Sequence, residues 1–288
     1  MTITDPTPKR RDEIRNLLRM SPEQVVEKAG TRLVVFDDLD DIHAQMADDI
    51  AGIVRNNNAH GEPTRLILPV GPVGHYPILL DTVRTEGLSL RACHVFFMDE
   101  YADETGRAVP PAHPLSFAGQ MWRMWLNNLP DELAIPPEQI HFPNEANIEQ
   151  LAAMIGDQGG LDACFGGIGI HGHLAFNEPE PGVASSGPRL VSLNDYTVTI
   201  NAVRAQVGGN LEAFPRHAYT VGLRQILGAR KLRLACRNGI DLDWANTVLR
   251  LTLFGTPGDD YPCTYAHTHP DFVLYTDRTT LQSPRNVL

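Results

Sequence analysis

The chemistry-bearing residues of this chain gather in one short stretch, Phe165 to Pro179, which reads FGGIGIHGHLAFNEP. Gly166, Gly167 and Gly169 follow an apolar run and lead into His171-Gly172-His173. An apolar trio then carries the chain to Asn177 and Glu178. His173 and Glu178 are five positions apart, close enough to meet across a tight turn. A carboxylate on one ring nitrogen would fix the imidazole tautomer and leave the other nitrogen for acid–base work. A lone histidine is more often structural. Two around a glycine, with Asn177 and Glu178 beside them, favour the functional reading.

Two further stretches carry reactive types at the end of an apolar run. Met98-Asp99-Glu100-Tyr101 places adjacent carboxylates after a strand; they point in different directions, so at most one faces a pocket. A carboxylate there is placed to move a proton between neighbouring carbons of a sugar, and a solvated acidic turn is the competing reading. Pro69 to Tyr76 (PVGPVGHY) is a glycine-containing turn before a helix, suited to cradle an anion with backbone N–H groups. It is neither a P-loop nor G-x-G-x-x-G, and a plain tight turn reads equally well. Gly71, Gly74 and His75 are its candidate substrate contacts.

The elements that must position these residues alternate. Residues 1–30 read as an N-terminal helical extension, with Ile14, Leu17 and Leu18 on one face. Ser21-Pro22-Glu23-Gln24 has the pattern of a second helix start, Ser as cap and Pro at the first position, and packing or subunit contact is its expected use. Strands are expected at Arg32–Phe36, Arg65–Leu68, Ala92–Met98, Ala163–Ile168, Arg189–Leu193, Lys231–Ala235 and Phe272–Tyr275. Helices are expected at Leu39–Val54, Pro77–Val83, Ser116–Leu126, Ile148–Ile155 and Trp244–Leu251. That alternation predicts an α/β fold, a mainly parallel sheet with helices on both faces, as a single domain over 31–288. In such sheets ligands bind outside the carboxyl ends of the strands, where all three stretches fall.

Composition narrows the partners. With 24 basic and 35 acidic residues among 288, the net charge is -11, and there is no long basic run. Nucleic acid and anionic membrane surfaces are therefore disfavoured, while a small anionic substrate is not. Four widely spaced cysteines without a C-x-x-C pair read as reduced, buried thiols. No apolar leader or stretch of about 20 apolar residues is visible, so a cytoplasmic protein is expected.

Three segments together make a resemblance specific. MDEY at 98–101, GGIGIHGHLAFNEP at 166–179 and TVGLRQIL at 220–227 resemble the glucosamine-6-phosphate deaminase (isomerase) family, itself related to the 6-phosphogluconolactonases. The resemblance runs from about Thr31 to Asp277. It implies an α/β fold of Rossmann-like topology acting on an amino sugar phosphate without an organic cofactor. It further implies that Asp99 moves the proton between C1 and C2 through an enediol or enolamine, that His173 assists ring opening, and that Glu178 orients His173. Family members commonly form oligomers, so a homo-oligomer is expected.

The departures point to a changed substrate. The family has Asp where this chain has His171, which removes a charge beside His173 and adds a titratable ring; His171 is therefore a further catalytic candidate. The phosphate loop, resembling L-P-T-G-G-T-P-L-G-T-Y in the family, is here about two residues shorter and has lost its hydroxyls. The family's late lysine is replaced by Cys236-Arg237-Asn238-Gly239, with Arg237 one position early. Arg204 is the nearest counterpart of the phosphate-binding arginine, and Arg224 is an alternative grip for an acidic group. A charge-assisted hydrogen bond to phosphate is worth roughly 1.5–3 kcal/mol. With several such bonds missing, an unphosphorylated or differently held sugar is the expectation. Two alternatives stand beside it. One is a metal-assisted sugar hydrolase or isomerase, with His171 and His173 as candidate ligands and His267-x-His269 as a second pair. The other is a non-catalytic sugar-binding or regulatory protein.

Overall fold

The computed structural model describes residues 8–239 and 243–288; the first seven residues of the N-terminal extension lie outside the described residues. The chain opens with α1 (Pro8–Leu18) and α2 (Pro22–Ala29), the latter started by a reciprocal capping box between Ser21 and Gln24. It then alternates: β1 (Leu33–Phe36), α3 (Leu39–His60), β2 (Thr64–Leu68), α4 (His75–Glu86) and β3 (Cys93–Phe97). After β4 (Asp99–Ala102) come α5 (Phe117–Met124), β5 (Ile140–His141), α6 (Leu151–Asp157) and β6 (Ala163–Gly167). The second half holds β7 (Arg189–Ser192), α7 (Asp195–Arg204), β8 (His217–Thr220), α8 (Leu223–Leu227) and β9 (Lys231–Ala235). It closes with α9 (Ala245–Phe254), β10 (Phe272–Asp277) and α10 (Arg278–Leu281).

Seven strands form one sheet in the order β1-β10-β9-β6-β2-β3-β5, and every pair in it is parallel. Its central strands are mainly apolar toward their carboxyl ends, as in Leu66–Leu68, Val95–Phe97 and Ala163–Phe165, because both faces are covered there. On one face Ile67, Phe96, Cys164 and Leu234 join the core that includes α9. On the other, Leu66, Leu68, Phe97 and Phe165 pack with α3, α4 and Trp125. Val25 and Ala29 of α2 and Leu17 of α1 enter the first of these cores.

Strand order reverses between β2 and β6. From β2 the chain proceeds outward through β3 and β5, then returns to lay β6 on the other side of β2. Crossovers leave that seam open at its carboxyl end, and a crevice forms there. One feature was not legible in the sequence. At Met98 the chain leaves the large sheet: its N–H donates to Leu68 O at 3.0 Å, and its own carbonyl accepts from Val221 N at 2.8 Å. Beyond it, Asp99–Ala102 is not a turn but an edge of a second, antiparallel sheet, β4-β8-β7. No helix among the described residues is long and apolar enough to cross a membrane, and all four cysteines are free and buried.

Candidate active site

A cavity of about 420 Å³ lies over the carboxyl ends of β2, β3 and β6, lined by Gly71, Asp99, Gly167, Gly169, His173 and Arg204 among others. Gly167 permits the close approach of two of its walls: a Cβ there would sit 3.0 Å from Gly71 O and 3.2 Å from Pro72 Cδ. The loop after β2 is fastened from below, where the Tyr76 hydroxyl donates to Pro69 O at 2.5 Å.

Strand alternation separates the two carboxylates of β4. Asp99 turns into the cavity and is only 8% exposed. Burial, and then the neighbouring Glu100 charge, push its carboxyl up to about 8. Glu100 turns the other way, and four donors converge on it. Tyr101 N and Phe117 N reach Oε1 at 2.9 and 3.0 Å; Ser116 Oγ and Ala118 N reach Oε2 at 3.0 and 2.8 Å. Glu100 thereby docks the start of α5, and with it the cavity wall at Pro114, Leu115 and Phe117.

The Gly-rich stretch folds as β6 followed by a compact turn. His171 and Ala175 adopt left-handed backbone, φ 64° and 52°, a conformation that side-chain-bearing residues enter at a cost and that concentrates at functional sites. Gly169 N bonds His173 O, and Gly172 N bonds Gly169 O, both at 3.0 Å. The imidazole of His173 lies directly over Gly169, where a Cβ would stand 1.8 Å from Nε2. Asn177 is fully buried and staples the turn, its amide donating to Leu174 O and Val221 O at 2.9 Å each.

His173 is also buried, which together with Arg204 and His171 holds its ring down to about 3, so it is neutral at ordinary pH. Its expected partner is displaced by one group. Glu178 does not bond His173; the Thr197 hydroxyl meets Nδ1 at 3.4 Å and is near enough to Glu178 to favour its charged form. Burial outweighs that help and raises the Glu178 carboxyl. Its Oε2 accepts from Asn194 N at 2.7 Å, and Asn194 in turn caps α7 through Thr197 N at 2.9 Å. Glu178 therefore positions α7, and Thr197 on α7 meets the ring.

Helix α7 is the element that sequence reasoning missed. It brings Thr197, Asn201 and Arg204 to the site, Asn201 donating to the Tyr101 hydroxyl at 3.1 Å. Its signal was present, Asn194 as cap with Val198 and Ala202 one turn apart. Arg204 enters the cavity with its guanidinium over the Trp244 ring at 5.2 Å and no carboxylate pairing with it among the described residues. Burial and the nearby Arg237 both disfavour its charge. Arg237 likewise pairs with no carboxylate among the described residues.

The remaining candidates are placed elsewhere. His171 does not line the cavity; its ring stands edge-on to Tyr261 at 5.0 Å and Tyr196 at 5.6 Å, behind the turn that carries His173. Gly74 faces His43, whose Nδ1 would be 2.1 Å from a Cβ, so it provides packing room rather than a ligand cradle. His75 is fully buried against Tyr76 with neither nitrogen bonded, and burial pushes it down to about 3. Arg224 is exposed on α8, away from the cavity lining. Of the turn residues, Gly71 lines the cavity. In the second His-x-His pair, both nitrogens of His269 are engaged, with Ala229 O at 2.7 Å and Asp271 N at 3.1 Å. Among the described residues no three His, Cys, Asp or Glu side chains are grouped to hold a metal ion.

Comparison with known proteins identifies the family and the fold. No family model matches the chain. Glucosamine-6-phosphate deaminase 2 of Mus musculus is 31% identical over 212 residues, 70% of this chain and 72% of the relative. Among solved structures, a monomeric glucosamine-6-phosphate deaminase of the NagB superfamily superposes with a TM-score of 0.75 at 23% identity, covering 86% of this chain and 98% of its own. A 6-phosphogluconolactonase from Thermotoga maritima superposes with a TM-score of 0.63 at 15% identity, covering 86% and 100%. These two likenesses concern the fold; the sequence relative carries the family. The chain belongs to the glucosamine-6-phosphate deaminase family and is an enzyme of that type.

Proposed function

We propose that this enzyme moves a proton between C1 and C2 of an amino sugar or sugar whose acidic group is held by Arg204 and Arg237, with a specificity differing from the family's usual 6-phosphate. The observation that carries the reading is a cavity in which a buried carboxyl, a neutral imidazole and an arginine with no carboxylate partner among the described residues face the same space. His173 takes the anomeric hydroxyl proton and returns it to the ring oxygen, which opens the ring. A neutral imidazole is the form that can accept that proton. Asp99, as carboxylate, then carries the C2 proton to C1 through the enediol or enolamine.

Altered specificity is supported by the β2–α4 loop. Pro69, Val70, Gly71, Pro72 and Val73 offer no hydroxyl, and two prolines remove backbone donors. The grip on an anion then falls to the guanidinium groups, whose planar forks suit carboxylate as well as phosphate. The test is a panel of phosphorylated, carboxylated and free amino sugars, aldoses and ketoses, scored by ammonia release and by exchange of the C2 proton with solvent deuterium. Turnover confined to acidic sugars, with KM raised in Arg204→Met and kcat retained, supports the reading. Exchange of neutral sugars, indifferent to Arg204→Met, refutes it.

A further inference from the structure

The N-terminal helix α1 reaches the loop behind the catalytic turn. Arg10, 6% exposed, grips Asp260 with two parallel bonds, Nε to Oδ2 at 2.8 Å and Nη2 to Oδ1 at 2.9 Å. Its Nη2 also donates to Thr256 O at 2.8 Å. Glu13, paired with Arg10, accepts from Thr256 N at 2.6 Å and from its hydroxyl at 2.8 Å. One turn of α1 thus holds both ends of the 256–260 segment. The Arg10 guanidinium continues over the Tyr261 ring at 5.9 Å.

That segment is the seat of the catalytic turn. Tyr261 closes edge-on against His171. Gly172 lies on Cys263, where a Cβ would meet Sγ at 2.6 Å. Asp259 accepts from Gly182 N at 2.7 Å and from the Tyr265 hydroxyl at 2.8 Å, tying down the chain just beyond Glu178. His171 faces Asp260, Tyr261, Tyr196 and His173; burial lowers its ring, and Asp260 opposes that by favouring the protonated form. A bidentate arginine on that carboxylate keeps it from drawing a proton onto His171.

We propose that α1 is a built-in support of the catalytic turn, with Arg10 as its positioning residue: it neutralises Asp260 and fixes the loop on which His171, Gly172 and hence His173 are seated. This holds whatever sugar the cavity takes, so its test does not use turnover. In the full chain, Arg10→Met is followed by amide hydrogen exchange and by ring titration of His171 in NMR. Exchange at Gly169 and Gly172, whose N–H groups bond within the turn, should accelerate roughly tenfold or more, while Leu66 and Val95 in the central strands stay unchanged. The His171 midpoint should move up the pH scale, and Arg10→Met/Asp260→Asn should return it while the turn amides remain fast. If Arg10→Met does not fold, Glu13→Gln should show the same pattern more weakly. Unchanged exchange at Gly169 and Gly172, or equal acceleration in the central strands, would overturn the proposal.

Discussion

Replacing Asp99 by Asn should abolish proton transfer while making the protein more stable, and the gain should depend on pH. Folding raises this carboxyl from 3.8 to about 8 because it is buried beside Glu100. An acid whose folded value exceeds its unfolded one holds its proton in the native state after the unfolded chain has released it. Stability therefore falls as pH rises from about 4 to about 8. Asparagine keeps the shape and has nothing to ionise. Between pH 5 and pH 9 the stability difference between Asp99→Asn and wild type should grow by up to about 4 kcal/mol. Groups common to both proteins, including His173, whose lowered value acts with the opposite sign near pH 3–6.5, cancel in the difference. Urea unfolding of both proteins across that range measures it, with solvent exchange at C2 measured on the same samples. The same value predicts that at pH 7 roughly one Asp99 in ten is ionised, so kcat/KM should climb toward pH 8. A pH-independent stability difference would refute the burial argument, and retained exchange would refute the role.

Substitutions around His173 and at His75 test the rest of the reading. Gly169→Ala places a methyl group within 1.8 Å of His173 Nε2; the protein should fold with activity reduced at least about 100-fold, measured by kcat on the best substrate found. Thr197→Val removes the hydroxyl at Nδ1 and should lower kcat about tenfold with little change in KM, whereas Thr197→Ser should restore it. His75→Phe exchanges two unbonded buried nitrogens for carbon and should be neutral or stabilising by about 1–2 kcal/mol in thermal unfolding, with wild-type activity.

How far the sequence carried depends on whether the signal was local. Ala163–Gly167 was legible because a strand buried on both faces is a short apolar run, and Lys231–Ala235 because Leu232 and Leu234 alternate with Lys231 and Arg233. Helix α3 was legible over its first four turns, and its continuation to His60 was not, since Arg55 to Asn58 is polar all round. In the small sheet only Arg189–Ser192 was legible; its other two strands left no local period. Asp99–Ala102 and His217–Thr220 pair across more than a hundred residues, and each is only four residues long. A strand that short takes its identity from its partner.

For the site the division is similar. Asp99, His173 and Glu178 were legible by type and by placement after apolar runs, and the fold brings the first two to one cavity. The direct pairing of His173 with Glu178 was an inference from spacing, and spacing does not know about a hydroxyl arriving on α7. Arg204 could be named but not ranked, because only the closure of α7 over the crevice shows it facing inward with no carboxylate paired to it among the described residues. The same applies to His171. Read along the chain it stands two residues from the His173 ring, but a left-handed backbone turns it to the far side of the turn. By itself the sequence determined the strand–helix alternation and the chemical types at the strand ends, which follow from burial and local period. Tertiary structure alone decided which side chains share the cavity, because direction across a turn and contact over a hundred residues are set by packing.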